Sequence, residues 1–156
     1  ILYMQRRPLL LLITIFLIWL QINHEEPKTH RPKFKQPNIE RMEKNPSIQR
    51  YIKDSINNNP FNQPQIYIQL EPLHPRLLGI TYKLQNNTYL IGLNPIYSQQ
   101  TLERTLFHEL VHVKQLDRHH LYGSLWMGKP QDWSLPWSSR PWEQQAEAET
   151  HLIYKP

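Results

Sequence analysis

The spacing of hydrophobic residues changes along this chain, and the changes divide it into elements. Residues 9–20 (LLLLITIFLIWL) are almost unbroken in apolar character and follow Arg6 and Arg7. A positive start and a short apolar run have the shape of a secretory h-region, whereas a full membrane span needs about twenty apolar residues. The pattern predicts an export signal or an uncleaved signal anchor over residues 1–22. Arginines on the inner side would leave the remainder outside the cytoplasmic membrane. Residues 23–38 (NHEEPKTHRPKFKQPN) are polar, charged and rich in proline, the composition of a linker.

Beyond residue 38 the periods are those of a folded domain. Ile48, Tyr51, Ile52 and Ile56 repeat at helical spacing behind Asn45 and Pro46, which suit a cap and a first helical position. Gln65–Leu70 (QIYIQL) alternates as a strand. Residues 79–84 (GITYKL) and 88–93 (TYLIGL) flank Gln85-Asn86-Asn87, the pattern of a hairpin. Thr101–Leu116 (TLERTLFHELVHVKQL) has no Gly or Pro and places Leu102, Leu106, Leu110, Val113 and Leu116 at helical spacing. A last helix is expected from Pro141 through WEQQAEAETHLIY, with Ser138 or Ser139 as its cap. Between these two helices, residues 123–141 carry Trp126, Trp133 and Trp137 among Gly and Pro, and read either as a binding loop or as packing over a small core. Helix, three strands and two further helices predict an α+β domain with a mixed three-stranded sheet over residues 39–156.

The chemistry lies on the last two helices. His108 and His112 are four positions apart, so on a helix they project from one face, one turn above the other, as two ligands of one metal must. Glu109 sits beside that face, placed to take a proton from an activated water. Glu143 is the expected third ligand, leaving a fourth position for water. Glu147, one turn further along, would then hydrogen-bond a ligand histidine and fix its tautomer. The reverse assignment, with Glu147 as ligand, stays open, as does a merely solvated acidic helix face. His151 is a weaker ligand candidate, and His119 and His120 read as solvent-facing residues at a helix end. Gln115 and Arg118 stand where a metzincin-type site would need Gly and His, so that arrangement is excluded.

His108-Glu109-Leu110-Val111-His112 followed by Glu143 resembles the gluzincin branch of zinc metallopeptidases, in which H-E-x-x-H is completed by Glu from a later helix. Glu143 with Glu147 looks like the Glu-x-x-x-Asp second motif of thermolysin-like enzymes, with Glu in the outer place. Glu143 to Ala146 is also similar to the Glu-x-x-Ala of minimal metallopeptidases of the ImmA/IrrE type. The resemblance implies a minimal zincin-like domain, Zn²⁺ on His108, His112 and Glu143, Glu109 as general base, and a peptide or protein substrate. It also implies an edge strand that pairs with extended substrate beside the cleft. Thr88–Leu93, which ends just before the H-E-x-x-H helix, is the candidate, alongside its reading as an ordinary hairpin strand. An oxyanion-stabilising donor is expected among Tyr89, Tyr97, Tyr122, His119 and His120.

Composition narrows the alternatives. There is no cysteine, which excludes disulfides, cysteine-ligated zinc and a thiol nucleophile. The formal charge of +5 is scattered and accompanies no base-reading motif, so a nucleic-acid partner is not expected. It suits an anionic envelope or membrane surface, to which the N-terminal apolar segment could attach the chain. The competing functional class is a binding module of the cell envelope, either stapled by zinc or free of metal, without catalysis.

Overall fold

The computed structural model describes residues 37–154, all within the compact unit Lys35–Pro156. The expected signal or anchor segment and the linker up to residue 36 lie outside the described residues. Of the expected linker, Pro37 is buried and Asn38 caps a helix, so the folded domain begins slightly earlier than the composition suggests. Among the described residues no helix is long and apolar enough to cross a membrane.

The domain opens with two short helices. The first, α1 (Ile39–Glu43), was not expected; the Asn38 side chain accepts from the Arg41 N–H at its start. The second, α2 (Pro46–Tyr51), begins at the expected Asn45 cap with Pro46 in its first turn. It runs on into a π-helical turn, Ile52–Ile56, and together they bury Ile48, Tyr51 and Ile56.

Three strands follow: β1 (Gln65–Leu70), β2 (Gly79–Lys83) and β3 (Thr88–Leu93). The hairpin turn works because Asn86 and Asn87 both hold φ of 56°, left-handed backbone that asparagine tolerates better than most residues. The sheet order is β1-β3-β2, with β3 parallel to β1 (Ile68 opposite Ile91) and antiparallel to β2 (Thr81 opposite Ile91). This makes the sheet mixed, as expected, but overturns the choice of Thr88–Leu93 as an edge strand. β3 is central, and both of its backbone edges are taken by neighbours. Its unbroken TYLIGL run, with Tyr89, Ile91, Gly92 and Leu93 all buried, is what a central strand requires. The edges belong to β1 and β2.

Helix α3 (Gln99–Asp117), capped by Ser98, lies across one face of this sheet. Leu102, Leu106, Leu110 and Val113 form its buried stripe, and Phe107 and Val111 are buried as well. The core they form includes Tyr89, Ile91 and Leu93 of β3, Met42 of α1 and Ile48 of α2. A helix so thoroughly enclosed has little freedom to shift, and the side chains it presents are held in place.

The long connection to the last helix contains a miniature antiparallel sheet, β4 (Leu121–Tyr122), β5 (Leu125–Trp126) and β6 (Lys129–Pro130). It then forms a 3₁₀ turn, Trp137–Ser139, and enters α4 (Pro141–Ile153). Neither Ser138 nor Ser139 caps α4, since both belong to the 3₁₀ turn and the capping position falls to Arg140. The Arg140 guanidinium donates to the carbonyls of Leu135 (3.2 Å) and Trp133 (3.0 Å) and lies over the Trp133, Trp137 and Trp142 rings. That cage fixes where α4 starts. Helix α4 packs against α3, and fully buried Ala146, with no side chain beyond Cβ, lets the two approach closely.

Candidate metal centre

Three side-chain atoms from α3 and α4 converge. His108 Nε2 lies 3.2 Å from His112 Nε2 and 3.2 Å from Glu143 Oε2, and His112 Nε2 lies 3.3 Å from the same oxygen. In tetrahedral zinc sites with metal–ligand bonds of 2.0–2.1 Å, neighbouring ligand atoms are about 3.3–3.4 Å apart. The observed triangle therefore has the size of one face of such a tetrahedron. His112 and Glu143 are buried and the His108 side chain is largely so. Chemically the set, two neutral imidazoles and one carboxylate, suits a borderline-soft divalent cation. The site can hold a metal ion.

Electrostatics within the cluster point the same way. Burial alone would raise the Glu143 carboxyl, but hydrogen bonds and charge from His108 and His112 outweigh it and hold the group down at about 2. Burial opposes protonation of His112, yet the Glu143 and Glu109 carboxyls overcome that and raise the imidazole above its ordinary value. The three donors thus demand positive charge at their centre, which a proton or a divalent cation can supply.

Glu109 occupies a different environment. It is only 6% exposed, and its Oε2 accepts a 2.7 Å hydrogen bond from the Thr81 hydroxyl of β2. Burial raises its carboxyl above the ordinary range, partly offset by His112, Thr81 and His108. Gly79 makes this contact between strand and helix feasible. A Cβ there would stand 2.7 Å from Thr105 Cγ2 and 3.0 Å from Glu109 Cγ and Oε1, so a larger residue would have to displace the Thr105 or Glu109 side chain or the strand itself.

Two supporting residues surround the cluster. Gln115, fully buried on α3, donates through Nε2 to the Trp142 carbonyl (3.0 Å) and to Gln145 Oε1 (2.9 Å). Its Oε1 must then face His112 Nδ1, at 2.8 Å, and can only accept. His112 therefore carries its proton on Nδ1 and presents the Nε2 lone pair to the centre. The sequence offered Gln115 only as a residue that excludes another ligand pattern; its role depends on the facing helix. Replacing Gln115 with Met, similar in volume, should weaken zinc binding roughly 10- to 100-fold. Competition against a fluorescent chelator measures this, and unchanged affinity would remove Gln115 from the site.

Glu147 lies outside the triangle. Its carboxylate stands 3.6 Å from His108 Nδ1, pairs with Arg104, and sits 3.1 Å from His151 Nε2. His151 is exposed and faces Glu147 rather than the converging atoms. The expected oxyanion donors are not brought to the site. Tyr89 is buried in the core with its hydroxyl unpaired, Tyr97 donates to the Pro75 carbonyl, and His119 and His120 pack against Tyr122 and Trp126. Of the loop tryptophans, Trp126 and Trp133 pack on buried Trp142, whereas Trp137 stands between two cavities that flank His108.

Comparison with protein-family models, curated protein sequences and solved structures finds no match to this chain.

Proposed function

We propose that this chain is a zinc-dependent peptidase of gluzincin type, with His108, His112 and Glu143 as metal ligands and Glu109 as general base. The observation that carries the reading is the convergence of His108 Nε2, His112 Nε2 and Glu143 Oε2 to within 3.3 Å of one another, with the Glu109 carboxyl buried beside them. A zinc ion held by these residues would lower the pKa of a bound water toward neutrality and polarise a carbonyl. Glu109 takes the proton of the attacking water and delivers it to the leaving amine. Its raised affinity for protons suits that double duty, and the Thr81 hydroxyl keeps the carboxylate aimed. Gln115 holds the His112 imidazole in orientation, and the Glu147 carboxylate stands 3.6 Å from His108 Nδ1.

The free edge of the sheet nearest the cluster is β2. Gly79 and the preceding Leu77 and Leu78 line the same cavity as His108 and Glu109. An extended substrate backbone pairing along this edge would pass over the general base, a role the sequence suggested for β3. A module that used zinc only as a staple would have no need of a buried carboxyl at that position. Arg6 and Arg7 ahead of the apolar run at residues 9–20 support a location outside the cytoplasmic membrane.

The test is metal analysis of the purified full chain together with cleavage of a peptide library. The expected result is stoichiometric zinc, amide-bond cleavage abolished by a chelator, and recovery on adding zinc back. Cleavage that survives complete zinc removal would overturn the metallopeptidase reading.

A further inference from the structure

The segment between β1 and β2 has no regular structure, yet its backbone is tightly held. Asn94, fully buried at the end of β3, donates its side-chain amide to the carbonyls of Leu73 (3.3 Å), His74 (3.3 Å) and Leu77 (2.8 Å). Its own N–H donates to the Leu78 carbonyl at 2.8 Å. The Tyr97 hydroxyl fastens the Pro75 carbonyl at 2.6 Å, and the Arg76 N–H donates to His74 Nδ1 at 3.2 Å. A loop clamped in this way presents its side chains without the cost of ordering its backbone. It forms one rim of a cavity of about 250 Å³ whose other walls include Arg104, His108, Glu109, Trp137 and Glu147.

The lining sets Arg76 and Arg104 against Glu109 and Glu147, but these charges are unequally paired. Arg104 is paired with Glu147, which His151 also approaches. Glu143 faces the two histidines, and Glu109 is engaged by Thr81. Among the described residues the Arg76 side chain has no carboxylate partner, although it lines the cavity beside the metal-ligand face. A guanidinium offers a planar pair of donors that matches a carboxylate, and a partly enclosed cavity strengthens that pairing. We infer that Arg76, held by the Asn94 clamp, recognises a carboxylate of the substrate, so that this site prefers peptides bearing an acidic side chain or a free C-terminal carboxylate next to the bond in the cleft. The inference rests on the peptidase reading and names the substrate class of that same site.

Binding rather than turnover tests it. Dye-labelled peptides are titrated by fluorescence anisotropy into the zinc-loaded Glu109→Gln full chain. One is neutral and amidated, a second carries Glu in place of a neutral residue, a third has a free C-terminus, and a fourth carries Lys. The acidic or free-acid peptide should bind roughly three- to tenfold more tightly than the neutral one, as a half-exposed charge-assisted contact allows. Which of the two does so identifies the source of the carboxylate. Arg76→Ala should abolish that preference and leave neutral-peptide affinity and melting temperature unchanged, since Arg76 is exposed. Arg76→Lys should recover part of the preference. Asn94→Ala should reduce the preference through the loop, with Arg76 intact. Equal affinity for acidic and neutral peptides, or a preference that survives Arg76→Ala, overturns this inference and leaves the peptidase reading standing. Absence of zinc-dependent binding for every peptide overturns both.

Discussion

Glu109→Gln is expected to bind zinc as the unaltered chain does and to hydrolyse peptides roughly 10²- to 10⁴-fold more slowly, the usual contribution of a positioned general base. Two features make the substitution a clean one. Glutamine has nearly the shape of glutamate, and its side-chain carbonyl can still accept the Thr81 hydroxyl that now lies 2.7 Å from Glu109 Oε2. The position is almost closed to solvent, so the fold senses shape more than charge there. What the amide lacks is a site for the proton. If Glu109→Gln retained full turnover, the base would be another group and the carboxyl beside His108 would be structural. If it lost zinc as well as activity, Glu109 would be part of the metal site rather than its chemical partner. Parallel measurement of metal content and turnover separates the three outcomes.

That Glu109, His108 and His112 share one helix could be read from the chain because a helix fixes the geometry of neighbours four apart without reference to anything else. Glu143 was legible for a related reason: Pro141 marks a first helical turn, and a single acidic helix near the end leaves few carboxylates to choose from. The residues that escaped are those whose role depends on pairing across elements. Gln115 looks like any polar helix residue until Trp142 and Gln145 are placed opposite it, and Asn94 like any loop asparagine until three carbonyls of a distant segment surround it. Strand order failed for the same cause. The turn at Gln85-Asn86-Asn87 predicts that Thr88–Leu93 is a strand but not who its neighbours are, and the apolar run that marks it as central was set aside because it ends just before the H-E-x-x-H helix. The last helix starts at Pro141 as expected, but its cap is Arg140 rather than a serine, and Arg140 sits among three tryptophan rings, a tertiary contact no capping rule contains. Strands of two residues, as in β4 to β6, are too short to show a period at all.

Glu143 and Glu147, two of the three carboxylates of α4, can be told apart by their expected losses. Glu143→Ala removes one corner of the triangle and leaves two imidazole nitrogens 3.2 Å apart without the carboxylate oxygen that faces both. Zinc affinity should fall by more than roughly a hundredfold, since the loss of a direct ligand exceeds that of an outer partner. Zinc-dependent stabilisation should go with it: at a hundred times the dissociation constant a ligand adds about 2.7 kcal/mol, a rise in melting temperature that Glu143→Ala would no longer show. Glu147→Ala removes only a partner of His108 Nδ1 that stands 3.6 Å away and is shared with Arg104 and His151. It should cost at most about tenfold in zinc affinity and preserve the thermal shift. Calorimetric titration with zinc, paired with melting curves at several zinc concentrations, reads both quantities on the same samples. Equal retention of zinc in both variants would sink the gluzincin assignment. Loss confined to Glu147→Ala would move the third ligand one helical turn along α4, and with it the face of the cleft on which substrate must lie.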